Sequence, residues 1–311
     1  MIWLIGSGKH AQEYAKVLTA LGVNFKVIGR GSKSADIFKA ETGINVETGG
    51  IDKYLDSKNI PNHAIISTAI EDLLSVCQSL INFGVKNILI EKPGSLTSRG
   101  IKNLVELSKF NEVKVWVGYN RRFYLATQSA RTIIQEDGGV ESFHFEFTEW
   151  PDVVLKNIIS KRILSKWVIS NSSHVIDLAF HLAGYPIKIS SYCAKSLEWH
   201  PSSKVFAGSG ITNTEALFSY HANWGAPGRW SLELATNTHR LIFRPLENLK
   251  IMNKNSLEIL TYQTIGNEDE KFKPGLYRQT QAFLFGKTEL MCSIQDQYRM
   301  MKTYEKIAGY T

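Results

Sequence analysis

Cysteine is scarce in this sequence, which has three among its 311 residues. The three are far apart, and no two have the C-x-x-C spacing of a redox motif or a zinc knuckle. This scarcity argues against a disulfide framework and against a structural zinc site. We expect Cys77, Cys193 and Cys292 each to be a small buried apolar residue.

Long apolar runs and blocks of like charge are also missing. No apolar stretch approaches the length of a membrane span, and the first predicted strand begins at residue 2, which leaves no room for a signal peptide. The net charge is +7, yet no five or six basic residues are consecutive. These absences argue against membrane and nucleic-acid partners and predict a cytoplasmic protein. The diffuse basic excess favours anionic small molecules as ligands.

The first thirty residues are typical of a strand, a glycine turn, a helix and a second strand. An apolar run to Ile5 precedes the string Gly6-Ser7-Gly8-Lys9-His10-Ala11, and a helical pattern then extends from Gln12 to Leu21. Gly6 permits a tight turn, and Gly8 lets the backbone approach a pyrophosphate at the helix N-terminus. Ala11 still allows close packing of helix on strand. We predict a dinucleotide-binding unit; the alternative is a strand–helix turn without a ligand.

No carboxylate stands at the end of the second predicted strand, Phe25–Ile28. Enzymes selective for NAD usually have Asp or Glu here, which accepts a hydrogen bond from the ribose 2′-hydroxyl. This chain has Arg30, Ser32 and Lys33 instead, and basic groups suit a 2′-phosphate. We therefore predict NADP rather than NAD as the cofactor, with an ordinary solvated basic loop as the alternative.

The pattern of predicted elements changes near residue 119. Before it, strands alternate with helices, which indicates a doubly wound parallel sheet. After it, strands follow one another with few helices between them, which indicates a mostly antiparallel sheet. We predict an α/β Rossmann domain over residues 1–118 and an α+β domain with an open-faced sheet over residues 119–311, whose C-terminal helix (about 293–308) could pack back on the first domain. The later predicted strands are Val140–Glu149, Ile187–Leu197, Ile211–Ala222, Trp230–Ala235, Leu241–Phe243 and Leu257–Thr264.

Four motifs together resemble the Gfo/Idh/MocA oxidoreductases, the family of glucose–fructose oxidoreductase and inositol dehydrogenase. The motifs are the glycine string above, Glu91-Lys92-Pro93, the segment Gly118–Phe123, and Asp177-Leu-Ala-Phe-His181. The resemblance spans nearly the whole chain and implies a Rossmann domain followed by an open-faced sheet. Two segments depart from the family pattern: Thr68-Ala-Ile replaces the frequent Thr-Pro-Asn, and Asn171-Ser-Ser173 replaces a glycine triplet. The second departure suggests a substrate pocket of altered shape.

Lys92 and one face of a later helix carry the predicted proton chemistry. Lys92 follows the carboxyl end of a parallel strand, where ligands of such sheets bind, and Pro93 stiffens its turn. In the predicted helix Ser170–Gly184, His174, Asp177 and His181 share one face. The resemblance implies that His181 is the general acid/base and that Asp177 works with Lys92.

Several alternatives remain for these residues. Glu91-Lys92-Pro93 could be a plain surface turn, and either histidine could be a core residue bonded to a carbonyl. A metal bound by both histidines is argued against, because His174 and His181 are separated by about 10 Å along the helix axis. We predict no metal.

Further binding residues are predicted around the domain junction. Thr68 and Glu91 are expected to contact the cofactor, as are Asn120 and Arg121. Asn120 and Arg122 are also expected to contact substrate, unless one of the arginines pairs with a carboxylate. Trp167 lies among the basic residues Lys161, Arg162 and Lys166, which could hold an anionic substrate or form a solvated loop.

We therefore predict an NADP-preferring oxidoreductase acting on a secondary alcohol or ketone of a sugar, nucleotide-sugar or cyclitol. An NAD-dependent glycosidase of the same fold, which uses transient oxidation, is one alternative; a non-catalytic NADP-sensing or scaffold protein is the other. The basic residues Arg30 and Lys33 speak against the first alternative. The open face of the second sheet, with apolar runs such as Ile211–Tyr220, is the predicted homo-oligomer interface.

Overall fold

The computed structural model describes residues 1–55, 59–156 and 159–310. They form two compact units, one of Met1–Asn120 with Asn267–Arg299 and the other of Arg121–Gly266 with Met300–Thr311. The sequence predicted one second domain over all of 119–311, whereas the segment Asn267–Arg299 belongs to the first unit. The physical reason is backbone pairing, because Cys292–Ser293 adds a strand to the first sheet.

The strands and helices have the following bounds. The strands are β1 Ile2–Ile5, β2 Phe25–Ile28, β3 Val46–Glu47, β4 His63–Ile66, β5 Asn87–Glu91, β6 Lys114–Gly118, β7 Ser142–Glu146, β8 Pro186–Ala194, β9 Val205–Thr212, β10 Leu217–Asn223, β11 Ser231–Ala235, β12 His239–Phe243, β13 Lys250–Asn253, β14 Leu260–Thr261 and β15 Cys292–Ser293. The helices are α1 Lys9–Ala20, α2 Ser32–Thr42, α3 Ile70–Phe83, α4 Ser98–Phe110, α5 Leu125–Glu136, α6 Pro151–Val154, α7 Lys161–Leu164, α8 Ser173–Ala183, α9 Glu268–Lys271, α10 Leu276–Leu284 and α11 Ile294–Ala308. Short 3₁₀ turns occupy Ile51–Tyr54 and Asn120–Phe123, and a π-helical turn, Val168–Ser172, leads into α8.

The first unit is built on a seven-stranded sheet with the order β15-β6-β5-β4-β1-β2-β3. Every pair is parallel except β15 with β6. All four residues of β1 are buried, as expected of a strand covered on both faces. The order from β6 to β3 is that of a doubly wound dinucleotide-binding sheet, and it reverses between β1 and β4. The predicted Rossmann architecture is confirmed.

The second unit contains an eight-stranded sheet with the order β14-β13-β12-β11-β7-β10-β9-β8. Its strands are antiparallel to their neighbours except for the parallel pair of β7 with β10. Helix α8 covers one face, where the ring of Phe180 meets those of Phe143, Phe145 and Phe218 at 5.1 to 5.8 Å. The prediction of a mostly antiparallel second sheet is confirmed.

Several local predictions differ from the structure. The run Ile211–Ala222 is not one strand: β9 ends at Thr212, a turn with Glu215 at φ 66° follows, and β10 begins at Leu217. Only Leu260–Thr261 of the predicted strand Leu257–Thr264 is extended in a sheet. Helices α2 and α10 and strand β13 were missed. Cys77 and Cys292 are buried as expected, but Cys193 is exposed at the edge strand β8.

The uncovered face of the second sheet is more polar than its sequence runs suggest. Strand residues alternate between faces, so Phe218 and Tyr220 point inward and are buried while Ser219 is exposed. The apolar content of Ile211–Tyr220 therefore lies mostly in the core, and the expected apolar interface is corrected to a mixed surface. The homo-oligomer stays a prediction.

None of the helices within residues 1–55, 59–156 and 159–310 combines the length and the apolar character needed to cross a membrane. In the same part of the chain, no three His, Cys, Asp or Glu side chains are arranged as a set of metal ligands.

Candidate functional site

A cavity of about 950 Å³ opens in the first unit. Its walls are the segments that directly follow β1, β2 and β4, so it lies at the carboxyl ends of these strands. This is the point where the strand order reverses, which is where open α/β sheets bind their ligands. The cavity walls include Gly6, Ser7, Gly8, His10, Gly29, Arg30, Gly31, Ser34, Gly49, Gly50, Asp52, Ser67, Thr68, Ala69, Asp72, Glu91 and Lys92.

The glycine turn after β1 forms a cradle at the start of α1. Gly6 has a φ of 118°, and a Cβ added there would meet Ser67 O at 2.2 Å, so no larger residue fits. A Cβ on Gly8 would meet nothing within 4 Å, which means that open space lies in front of it. Gly8 is the N-cap of α1 and has no side chain to accept from the first-turn N–H groups. Free N–H groups beside an open cavity suit a pyrophosphate.

Most of the predicted cofactor residues line this cavity. They are Gly6, Ser7, Gly8, His10, Arg30, Thr68, Glu91 and Lys92. The others have different surroundings. Ala11 is fully buried, Lys9 is exposed, and Asn120 Nδ2 donates to Pro274 O at 2.9 Å. Ser32 and Lys33 form the first turn of α2 instead of a loop, and both are exposed.

Two parts of the cavity wall escaped the sequence analysis. The glycines Gly49 and Gly50 follow β3, and both have positive φ values, of 106° and 80°. The double glycine was the available signal. Asp72 was missed because its position depends on where α3 begins relative to β2, which a single sequence does not reveal.

Arg30 lies at the cavity wall in an ion pair. Its Nη2 donates to Asp72 Oδ2 at 2.6 Å, and 78% of its side chain is exposed. Such an exposed pair contributes little stability. The guanidinium keeps other N–H groups with which to contact an anion.

The carboxylate of Glu91, next to Lys92, is the centre of a hydrogen-bond network. Tyr14 OH donates to Glu91 Oε1 at 2.7 Å, and His10 Nε2 lies 2.9 Å from the same oxygen. Lys273 Nζ lies 3.2 Å from His10 Nδ1. The His10 ring therefore lies between the Glu91 carboxylate and the Lys273 ammonium.

Burial and the network act on Glu91 in opposite directions. Burial raises its pKa, but the attraction of His10 and the hydrogen bonds from His10 and Tyr14 outweigh this and lower the pKa to about 2. Burial, together with the charge of Glu91, raises the pKa of Tyr14. Glu91 is thus a fixed carboxylate, and it holds the start of the turn that carries Lys92. Gln297 Nε2 fixes the next residue by donating to Pro93 O at 3.0 Å.

In the second unit, Asp177 forms a buried ion pair with Arg122. Arg122 Nε donates to Oδ2 at 2.8 Å and Nη2 donates to Oδ1 at 2.6 Å, which is bidentate geometry. The side chains are 5% and 1% exposed. Arg122 therefore pairs with a carboxylate, which was the alternative to its predicted contact with substrate. Asp177 must accordingly be counted as a partner of Arg122.

His181 is held in its neutral form. Burial lowers its pKa well below the usual value, and the positive charges of Arg122 and Arg131 lower it further. Its Nε2 is buried and has no hydrogen-bond partner among the residues that the structure describes. A neutral imidazole with an unused nitrogen can accept a proton from a hydroxyl group.

The remaining predicted substrate residues each lie near an aromatic ring. The His174 ring is buried 6.2 Å from the Trp230 ring. Trp167 packs edge-on against Trp199 at 6.3 Å. Lys166 Nζ lies 4.1 Å from the centre of the Tyr310 ring. In the basic segment before α8, Lys166 therefore contacts the Tyr310 ring and Trp167 contacts the Trp199 ring.

Comparison with known proteins identifies similar folds. No protein-family model and no curated protein matches the sequence. Levoglucosan dehydrogenase in complex with NADH and L-sorbose is similar, with a TM-score of 0.81 and 16% identity over 99% of this chain and 95% of the other. An oxidoreductase from Agrobacterium radiobacter, in complex with NAD+, L-tartaric acid and magnesium, has a TM-score of 0.81 and 13% identity, covering 99% of this chain and 95% of its own.

A third similar structure is UDP-N-acetylglucosamine 3-dehydrogenase from Acidithiobacillus ferrooxidans. Its TM-score is 0.76 at 14% identity, covering 100% of this chain and 97% of the other. At such low identity these three likenesses establish the shared fold.

Proposed function

We propose that this protein is an NAD(P)-dependent oxidoreductase of the Gfo/Idh/MocA kind. Its reaction would interconvert a secondary alcohol and a ketone on a sugar, nucleotide-sugar or cyclitol. The observation that carries the proposal is that the glycine cradle and Lys92 line one cavity at the carboxyl ends of β1, β2 and β4. The similar structures named above include dehydrogenases of levoglucosan and of a nucleotide-sugar, which supports a sugar-like substrate.

The cavity residues suit a dinucleotide, with NADP preferred over NAD. Gly6 and Gly8 would hold the pyrophosphate at the start of α1, where the dipole favours negative charge. Arg30 would bind the 2′-phosphate, and no carboxylate stands at the end of β2 to take a free 2′-hydroxyl.

The bound cofactor would supply the hydride acceptor or donor, and the chain would manage the proton. The Lys92 ammonium would polarise the reacting oxygen and stabilise negative charge that develops on it. His181 would take the hydroxyl proton at Nε2. Its lowered pKa favours the neutral base, so we propose that His181 serves alcohol oxidation, and reduction would require an imidazolium that burial disfavours.

Asp177 would act by position rather than by contact with the reacting atoms. Its carboxylate fixes Arg122, and the Arg122 charge contributes to the low pKa of His181. The partnership of Asp177 with Lys92 that the resemblance implies stays a prediction.

The experiment is a screen of sugars, cyclitols and nucleotide-sugars with NAD+ and NADP+, followed by Lys92→Ala. We expect turnover of at least one compound, and we expect Lys92→Ala to lower kcat at least 100-fold while NADPH binding is retained. The control is Lys102→Ala, since Lys102 is an exposed lysine of α4 that pairs with Glu106. Unchanged turnover in Lys92→Ala would contradict the proposal.

A further inference from the structure

Two arginine side chains of the second unit lie against one indole ring. The guanidinium carbon of Arg121 is 5.0 Å from the centre of the Trp230 ring, and that of Arg229 is 4.9 Å from it. Arg229 also lies 4.8 Å from the Trp150 ring. Each contact is a cation–π interaction, but the two positive charges repel each other. The arrangement therefore becomes more favourable when negative charge is nearby.

Glu149 supplies one negative charge, and it forms an ion pair with Arg229. Glu149 Oε2 accepts from Arg229 Nη1 at 3.2 Å. Its Oε1 accepts from Asn171 Nδ2 at 2.9 Å, Ser172 Oγ at 2.8 Å and Trp230 Nε1 at 3.3 Å. The side chain is 1% exposed, so its acceptor capacity is used inside the protein. Asn171 and Ser172, where the family often has glycines, thus hold this carboxylate in place.

Among the residues that the structure describes, Arg121 has no hydrogen-bonded carboxylate comparable to Glu149. Its Nε is buried and makes no hydrogen bond within the described part of the chain. Glu149 and Glu247 act on it only through space, and burial lowers the pKa of its guanidinium. A partly buried cation without a paired anion is costly, and arginine is the side chain whose fork best matches a carboxylate or a phosphate. An oxyanion ligand would remove this cost.

The indole ring that both arginines contact lies near His174, on the helix face that also carries the proposed base. The His174 ring lies 6.2 Å from the Trp230 ring. His174, Asp177 and His181 share one face of α8, at spacings of three and seven residues. A ligand bound at Trp230 would therefore lie beside this face.

We propose that Arg121 and Arg229, which both contact Trp230, bind an oxyanion group of the substrate, a carboxylate or a phosphate. This inference rests on the proposed function and specifies its substrate as an acidic sugar. It also assigns anion binding to residues other than Lys161, Arg162 and Lys166. It moves Arg121 from the predicted cofactor contacts to the substrate.

The test is direct binding to the full-length protein, measured by tryptophan fluorescence, since Trp150 and Trp230 contact the arginines. The probes are D-glucuronate with D-glucose, D-galacturonate with D-galactose, and D-glucose 6-phosphate. We expect at least one acidic probe to bind at least tenfold more tightly than its neutral counterpart. The uronates and the sugar phosphate separate the two sources of the oxyanion. If no acidic probe binds more tightly than its neutral sugar, the inference is wrong.

Variants assign the binding to the two arginines. We expect Arg121→Gln and Arg229→Gln each to weaken the preferred acidic probe at least tenfold, with unchanged binding in Arg240→Gln. Arg240 is the matched control, because it is exposed and pairs with Glu233 at 2.9 Å. Arg229 is 45% exposed, so its variant is expected to fold even if Arg121→Gln does not. Unchanged affinity in Arg229→Gln would overturn the inference.

Two further measurements separate this inference from the proposed function. Oxidation of neutral sugars without binding of any acidic probe would leave the function intact and overturn the inference. Binding of an acidic probe without turnover of any compound would support the inference and contradict the proposed function. Finally, NADPH affinity should be unchanged in Arg121→Gln. An equal loss of NADPH and acid binding would assign Arg121 to the cofactor and overturn the inference.

Discussion

Breaking the buried ion pair of Arg122 with Asp177 at one partner should strongly destabilise the second unit. Replacing Asp177 with Ala leaves a guanidinium that is 5% exposed without its carboxylate. Removing one partner of a buried, bidentate pair typically costs about 3 to 5 kcal/mol. We expect Asp177→Ala and Arg122→Met each to lower the free energy of unfolding by an amount of this order, measured by urea denaturation followed by circular dichroism.

The double variant distinguishes the cost of an orphaned charge from the value of the pair. In Arg122→Met/Asp177→Leu both charges are absent, so we expect most of the lost stability to return. The matched control is the exposed pair of Arg240 with Glu233, where Glu233→Ala should cost less than about 1 kcal/mol. If Asp177→Ala abolishes turnover but costs no more than the control, the carboxylate has a chemical role and the reasoning is refuted.

Three other predictions follow from single groups. Arg30→Gln should weaken NADPH binding roughly tenfold or more, as expected for one lost charge-assisted contact, with NADH unchanged; an equal loss for both cofactors in fluorescence titrations would contradict this. The acid limb of kcat/KM for oxidation should lie below pH 6.5, because the pKa of His181 is lowered. Arg131→Gln removes one of the charges that lower this pKa, so the variant should move the acid limb to higher pH. If the limb does not move, it belongs to another group. Burial, assisted by the Lys166 charge, lowers the pKa of His200 to about 4, so the fold binds fewer protons than the unfolded chain between about pH 6.5 and 4 and stability should fall over this range by about 2 to 3 kcal/mol. His200→Asn should flatten that fall in urea denaturation, and an equally steep fall in the variant would exclude His200 as its cause.

The strands and helices with the most regular hydrophobic patterns were predicted well. The buried strands of the first sheet are short apolar runs between glycines and polar turns, so their positions follow from local composition. The helix carrying His174, Asp177 and His181 was also predicted, because helical spacing is a local property. The predicted strand Ile211–Ala222 ran from the last two residues of β9 across the turn into β10, because Asn213 and Thr214 are weak turn signals between two extended runs.

Side-chain partners were the least predictable part of the candidate site. The carboxylate of Asp177 is held by Arg122, 55 residues earlier in the chain, and the sequence pattern of α8 gave no sign of this pair. Glu149 attracted no attention in the sequence, yet it accepts hydrogen bonds from three different side chains at Oε1 alone. Such contacts depend on how helices and strands that are distant in sequence pack together, and a single sequence does not reveal which of their side chains will meet.

What the sequence determined by itself is the class of fold and the positions where ligands could bind. Glycines 6 and 8, the apolar strands and the lysine after β5 each follow from conformational and hydrophobic preferences that act over a few residues. Tertiary structure decided which charges are neutralised: Asp177 by Arg122, and Arg229 but not Arg121 by Glu149. The physical reason is that a charge loses its water only when distant segments close around it, and only then does the presence or absence of a partner matter.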